Sequence, residues 1–391
     1  MKILIIVENL PVPFDRRVWQ EATTLQRNGH SVSILCPVMK GYNKRYEVLD
    51  GIHIYRHPLP MEGSGAAGYL VEYASALFFQ FSLSLKVLVE RGFDVIHACN
   101  PPDNIFLVGG FFKLVLGKKF LFDHHDINPE LYIAKFGRKD LFYRCMLLWE
   151  KLTFKTADVS IATNHSYRRI AIERGKMKPE NVHVVRSGPD LDRARRVAPN
   201  DQWKNNKTFM VGYVGVMGAQ EGLDYLLNGI KYLVHELKRV DTHFVLVGGG
   251  TELESLKMMM NDLDIEDFVT FTGRVSDAVL MEILSTADVC VNPDVVNEMN
   301  DKSTMNKIME YMALGKPIVQ FEMTEGRFSA QKASLYAAPN DHRSLMDNII
   351  KVLDDSDLAQ RMGDFGRRRV ISELQWTHEI PKLLNAYDQL S

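Results

Sequence analysis

Lys307 and Glu310 are the residues of this 391-residue chain whose types and spacing point most directly to chemistry. They lie in the segment Asn300 to Val319, NDKSTMNKIMEYMALGKPIV. Asp301 and Ser303 are the expected N-caps of a helix, Gly315 its stop, and Pro317 the start of a strand. Residues three apart share one helix face, with Lys307 nearer the positively polarised N-terminus. The plain alternative is a solvated Lys/Glu pair. Against it, Glu310 adjoins Tyr311, Met312 and Ala313, which read as the buried side. Glycine-rich turns suggest a second kind of site. Gly212, Gly215 and Gly218 punctuate one strand-to-helix turn, and Gly248-Gly249-Gly250 follow a later strand. Glycine in such turns lets a phosphate approach backbone N–H groups and the positive end of a helix, although it is equally a plain turn residue.

The pair His124-His125, followed by Asp126, offers imidazole and carboxylate chemistry. Adjacent residues in an extended segment point to opposite sides, so the two histidines do not suit a single metal ion. His124 reads as a core histidine. Asp262-Leu263-Asp264 has the spelling of a divalent-ion pair, but it ends a helix inside an acidic run and reads as a solvated turn. A dinucleotide fingerprint, GxGxxG after the first strand, is missing: Asn9 to Asp15 contains no glycine. Cys36, Cys99, Cys145 and Cys290 form no CxxC pair and suggest neither a disulfide framework nor a zinc site. They fit buried thiols in a reducing compartment.

These residues sit among alternating strand and helix patterns. Ile3–Val7, Ser31–Cys36, Val95–Ala98, Phe120–Asp123, Val159–Ala162 and Val182–Val185 read as strands, with helical periodicity at Arg16–Asn28, Tyr69–Arg91 and Lys139–Thr156. The alternation implies βαβ units and a parallel sheet. It breaks in a polar stretch after Ser187 and restarts at Phe209. The expected fold class is α/β, with two Rossmann-like doubly wound domains facing each other across a cleft. The N-terminal domain spans 1–190, with a C-terminal helix at 375–391 packing back on it. Residues 191–206 form a linker, and 207–374 form the second domain. Open α/β sheets bind ligands beyond the carboxyl ends of their strands.

The helix from Asn300 with its Gly-Lys-Pro-Ile-Val exit resembles the donor-site helix of glycosyltransferase family 4, retaining enzymes with the GT-B fold. The resemblance extends over nearly the whole chain: Asp15 to Ala22 and Asn28 to Val32 at the start, Asp94 to Ala98, Asp123 to Asp126 with Asn128-Pro129-Glu130, Gly212 to Tyr225, and Trp376 to Tyr387 at the end. It implies that Glu310 hydrogen-bonds the nucleotide's ribose. It implies too that backbone N–H groups around Gly215–Gly218 and at Ser303–Thr304 hold the diphosphate; the Gly249 turn, read from its glycines, is a further donor-binding candidate. His125 would act in catalysis, with Asp126 orienting it or the acceptor, and Asp15 and Arg16 would lie on the acceptor side. The family's first Glu of Glu-x7-Glu is replaced by Lys302. Val216 or Met217 and Glu221 stand where the family has a diphosphate-binding Arg and Lys. The cationic role then falls to Lys302, Lys307 or Arg274. A departing nucleoside diphosphate gathers negative charge, which preorganised donors and cations stabilise without a metal.

The implied reaction moves a hexose-type sugar from a UDP- or GDP-linked donor, with retention, to a hydroxyl of a lipid-linked or polysaccharide acceptor. No metal or other cofactor is expected. A sugar-nucleotide 2-epimerase-like isomerase of the same fold and a non-catalytic glycan- or lipid-binding module are the alternatives. The net charge of −2 marks no nucleic-acid binder. Residues 1–190 carry 25 basic and 19 acidic groups, a net of +6, whereas residues 191–391 carry 22 and 30, a net of −8. A basic half suits peripheral contact with an anionic membrane. The Met1 to Glu8 run is too short for a signal peptide, and Tyr69 to Val89 is interrupted by Glu72, Gln80 and Lys86, so it reads as a packed helix rather than a membrane span. A cytoplasmic protein at the inner face of the cell membrane is expected.

Overall fold

The computed structural model describes residues 1–58 and 65–391, the side chains of residues 65–73 excepted. It divides into two units, Met1–Ser187 with Glu379–Ser391, and Gly188–His378.

The first unit is built on β1 (Lys2–Ile6), β2 (Ser31–Val38), β3 (Tyr46–Leu49), β4 (Ile52–Pro58), β5 (Val95–Cys99), β6 (Lys119–His124), β7 (Val159–Ala162) and β8 (Val182–Val184). These strands run in the order β3-β4-β2-β1-β5-β6-β7-β8. Only the β3–β4 pair is antiparallel. All five residues of β5 are buried, as are four of the five in β1. Helices covering both faces of a parallel sheet explain why these strands read as unbroken apolar runs. The chain builds outward from β1 to β4 and then returns beside β1 as β5, so the switch in strand order lies between β1 and β5.

The sequence reading passed over β3 and β4. Asp50 and Gly51 between them both have positive φ, 50° and 78°, the backbone of a tight hairpin turn. The Asp-Gly dipeptide was therefore a legible signal. The apolar stretch beginning at Tyr69 lies in the helix Gly65–Glu90. Among the described residues, no helix is long and apolar enough to cross a membrane.

The second unit is a parallel sheet of β9 (Phe209–Val214), β10 (Thr242–Val247), β11 (Val269–Gly273), β12 (Val289–Asn292), β13 (Ile318–Phe321) and β14 (Ser334–Ala337), in the order β11-β10-β9-β12-β13-β14. The two-residue period of a strand divides its core. Phe244 and Leu246 of β10 join one apolar cluster, while Val245 and Val247 join the other. The switch in strand order lies between β9 and β12.

Residues 191–206, expected to link the domains, belong to the second unit. Ala194 is fully enclosed in its core, and Leu191, Val197 and Trp203 pack against that core. Arg196 Nε donates to Leu314 O at 2.6 Å, and Trp203 Nε1 donates to Glu282 at 2.7 Å. A polar stretch can mark a linker or a strap, and only its packing partners separate the two. The expected caps also differ. Asp301 lies within the short helix Glu298–Lys302, and its carboxylate accepts from Thr324 N (2.7 Å) and Thr324 Oγ1 (3.0 Å). Ser303 closes that same short helix, its Oγ donating to Met299 O, and the next helix, Asn306–Ala313, starts without a side-chain cap.

Candidate active site

In the first unit a cluster of charged groups forms where helix Arg16–Arg27 meets the ends of β5 and β6. Asp15 caps that helix, its Oδ1 accepting from Val18 N at 3.1 Å. Arg17 and Glu21, four apart, point inward on one helical face; both are buried. Arg17 grips Asp123 with two hydrogen bonds, Nη2 to Oδ1 at 2.8 Å and Nε to Oδ2 at 3.2 Å. Its Nη1 donates to Val185 O at 2.8 Å, and Nη2 lies 3.0 Å from Glu21 Oε1. His125 Nε2 makes a short contact with Asp123 Oδ2 and lies 2.9 Å from Arg17 Nε. Asp123 and His125 stand two apart in extended backbone and so share a side. His97 on β5 completes the cluster, its Nδ1 2.7 Å from the Tyr387 hydroxyl and its Nε2 3.4 Å from Asp123.

Burial works against the charge of Asp123, but Arg17 and His125 overcome it and hold the carboxyl well below its usual range. Glu21 goes the other way: burial drives it well above, despite Arg17. Burial likewise lowers His97 and raises Asp126. Asn100 fixes the backbone that presents His125. Its Oδ1 accepts from His125 N at 2.7 Å and Asp126 N at 3.1 Å, and its Nδ2 donates to Asp126 O at 2.6 Å. Arg16 is exposed on the helix beside Asp15. His124 turns away from this cluster into an aromatic cage of Phe122, Phe154 and Tyr167, where burial pushes its pKa down to about 3.

Among the described residues, two triplets bring metal-ligating atoms together, His97–Cys99–Asp123 and Glu21–Asp123–His125. Both depend on Asp123, whose oxygens already face the Arg17 guanidinium, a cation that repels a divalent ion placed there.

In the second unit a cluster forms at the β9/β12 switch. Those two strands pair only through Val289 with Val211 and Cys290 with Gly212, then separate. The Tyr311 hydroxyl spans the opening, accepting from Val214 N at 2.9 Å and donating to Val291 O at 3.3 Å. Lys307, one turn earlier, donates to Asp294 and to Glu221, each at 2.6 Å, and lies 4.9 Å from the Tyr213 ring centroid. It thereby ties the turn after β9 to the turn after β12. Burial lowers the Lys307 pKa and raises that of Asp294. The carboxylates nevertheless hold Lys307 above its ordinary value, while Asp294 stands near 7. Glu310 does not pair with Lys307. Its carboxylate accepts from Arg193, which lines a cavity of about 500 Å³ with Asp277 and Met281.

The glycine turns pack backbone against backbone. A Cβ on Gly248, whose φ is 137°, would lie 1.8 Å from Gly215 O. Gly215 N donates to Val247 O and Met217 N to Gly249 O, both at 3.1 Å. At Gly218 and Gly249 the side-chain position is open, with nothing within 4 Å. Arg274 is exposed just beyond β11. Ser303 N donates to Asn300 O at 3.2 Å, and Thr304 follows it into the helix Asn306–Ala313. Lys302 Nζ bridges to Glu298 at 2.7 Å. Asp262 and Asp264 are exposed at a helix end.

The sequence reading named His125, Glu310 and Lys307 but not Arg17, Glu21, Asn100, Asp123, Arg193 or Asp294 as parts of these clusters. Two signals were present: the i,i+4 spacing of Arg17 and Glu21, and the i,i+2 spacing of Asp123 and His125.

Comparison with known proteins agrees with the two-sheet architecture. The structure superposes on sucrose-phosphate synthase from Thermosynechococcus elongatus with a TM-score of 0.82 at 19% identity, covering 100% of this chain and 99% of that one. It matches HepE of Anabaena, solved with UDP and glucose, with a TM-score of 0.74 at 15% identity, covering 99% of each chain. The fold is that of the GT-B glycosyltransferases. Residues 15–193 match the family described as "Glycosyltransferase Family 4", and residues 208–355 match "Glycosyl transferases group 1". An uncharacterized glycosyltransferase of Haemophilus influenzae is 30% identical over 364 residues, 90% of this chain and 92% of the relative. Mannosylfructose-phosphate synthase of Agrobacterium fabrum is 26% identical over 60% of this chain, and the match spans about half, 54%, of that relative's length. The chain belongs to glycosyltransferase family 4.

Proposed function

We propose that this glycosyltransferase moves a hexose-type sugar from a UDP- or GDP-linked donor to a hydroxyl of a lipid-linked or polysaccharide acceptor, with retention of configuration, in cell-envelope or exopolysaccharide synthesis. It would work in the cytoplasm at the inner face of the membrane. The observation that carries the donor reading is Glu310, a mostly buried carboxylate held by Arg193, which lines a cavity with Asp277 at the start of the helix that follows β11, the strand end at which α/β folds bind ligands. HepE, with UDP in a related fold, supports the same reading.

In this scheme Glu310 exchanges Arg193 for the ribose hydroxyls, and the released guanidinium turns to the diphosphate. Lys302 and Arg274 add positive charge, Gly218 and Gly249 leave room for the phosphates, and Ser303 and Thr304 contribute at the helix entrance. Lys307 acts by fixing Glu221 and Asp294, and so the two turns that shape the site. His125 serves the reacting sugar, held by Asn100 and polarised by Asp123, with Asp126, Asp15 and Arg16 on the acceptor side. Product analysis tests the reaction: a new glycoside supports transfer, an epimerised donor or no product overturns it.

Glu310→Ala is expected to weaken binding of the matching nucleoside diphosphate while the protein stays folded. Each lost charge-assisted hydrogen bond is worth about 1.5–3 kcal/mol. Calorimetry measures this; unchanged affinity with an intact melting curve overturns the ribose assignment. Turnover is expected to persist in excess chelator, because the cationic and dipolar groups named above stabilise the leaving diphosphate. Complete loss of activity, restored by Mg²⁺ or Mn²⁺, would show the contrary.

A further inference from the structure

Three helices of the first unit lie side by side and turn apolar residues outward. On helix Phe106–Leu116, Leu107, Phe111, Leu114 and Val115 are exposed, Leu114 to 86%. At 3.6 residues per turn these four positions fall within an arc of about 100°. On helix Gly65–Glu90, Phe78, Leu85 and Val89 are exposed at spacings of seven and four, again one stripe, with Val89 at 86%. The edge-on contact of Phe81 with Phe111, 4.9 Å between ring centroids, seams the two helices together. Helix Leu141–Thr156 flanks them. Lys113 Nζ on the middle helix donates to Thr156 O at 2.7 Å, and a Cβ on Gly110 would sit 3.5 Å from Thr156 Cγ2.

The outward stripe of that third helix is Leu141, Arg144, Leu148, Lys151 and Lys155, all exposed. It alternates apolar and basic groups, while the helix's one acid, Glu150, is fully buried. The middle helix carries no acid at all. Monomeric proteins rarely expose contiguous apolar surface of this kind without a use for it.

We infer that this three-helix face docks on an anionic lipid bilayer, with Leu114, Val115 and Val89 entering the interface and Arg144, Lys151 and Lys155 meeting lipid phosphates. The charge pattern selects this occupant. Apolar side chains beside basic ones are the signature of binding in the interface without spanning it, and no described helix is able to span the bilayer. A second copy of the chain would bring one basic stripe against another. The inference rests on the peripheral-membrane part of the proposed function and needs no assumption about donor or acceptor.

The test is flotation of the full chain with phosphatidylglycerol/phosphatidylcholine vesicles, without any sugar nucleotide. The expected result is co-flotation at low salt and little on phosphatidylcholine alone. Leu114→Asp is expected to lower the partition by about tenfold or more, and Lys151→Glu with Lys155→Glu by about thirtyfold or more. All three positions are exposed, so melting curves should match the parent. Absence of flotation at low salt, flotation indifferent to both variants, or a concentration-dependent dimer abolished by Leu114→Asp would overturn the inference. Thermal shift with nucleoside diphosphates on the same samples reads the donor site separately, so failure of one reading leaves the other measurable.

Discussion

Arg17→Met is expected to lower unfolding free energy by about 3–5 kcal/mol, the cost of breaking a buried ion pair from one side. Methionine fills much of the arginine stem's volume, so the loss is chiefly electrostatic. Asp123 and Glu21 would remain buried without the cation that faces both, and Val185 O would lose its donor. The pH dependence carries a sign that identifies the cause. In the parent, Asp123 is held well below its usual range. Its contribution is therefore complete above the unfolded carboxyl pKa and lost only as pH falls through the lower folded value. In the variant, burial, the largest influence on Asp123, is opposed by His125 and His97 without Arg17, so the folded pKa is expected to rise above the unfolded one. The folded state then binds more protons, so the deficit should shrink as pH falls from about 8 to about 5. Urea unfolding at both pH values measures it. A deficit below about 1 kcal/mol, or one independent of pH, would mean that water already solvates these carboxylates.

His125→Ala is expected to reduce transfer by about 10²–10⁴-fold, the range for removing a positioned acid–base group, while nucleoside diphosphate affinity stays unchanged. His125 belongs to the first unit, whereas Glu310 and the Arg193 that holds it belong to the second. The imidazole hydrogen-bonds Asp123 and Arg17 through Nε2 and is partly exposed, so its loss does not open the core. The contrast that decides the assignment is kcat against nucleotide Kd. A variant keeping most of its turnover would make His125 a spacer in the Arg17–Asp123 cluster. Asn100→Ala then serves as a companion: it leaves the imidazole in place but frees the backbone N–H groups of His125 and Asp126. A positioning role for Asn100 shows itself as lost kcat with unchanged nucleotide binding, and as a weaker effect than His125→Ala.

Much of this architecture was legible from the chain alone. The apolar runs and helical repeats placed two α/β halves because burial on a sheet imposes a two-residue or 3.6-residue period on the residues that form it. The helix carrying Lys307 and Glu310, and the strand end at His125, were legible for the same reason and through family resemblance. The hairpin at Asp50-Gly51 was legible and passed over, since β3 is half-exposed and lacks a clean apolar run. The strap 191–206 was misjudged because polar residues that donate to carbonyls of a neighbouring element look, in sequence, like polar residues that face water.

What the sequence by itself determined is which segments are strands and helices, where glycine lets the chain turn, and which residues are available for chemistry. Tertiary structure alone decided which charges meet. Arg17 and Asp123 are 106 residues apart, Arg193 and Glu310 are 117 apart, and Lys307 and Glu221 are 86 apart. Strand order sets the first and third pairings, placing β5 next to β1 with β6 beyond it, and β12 next to β9; the second follows from the strap that packs on the second unit. Local periodicity reports the face that a residue presents, because one backbone geometry fixes it. The partner across that face depends on how distant crossovers stack, and a buried charge takes its protonation state from that partner. For this reason Glu310 and Lys307, neighbours on one helix, serve different carboxylate and cation partners, and only the fold assigns them.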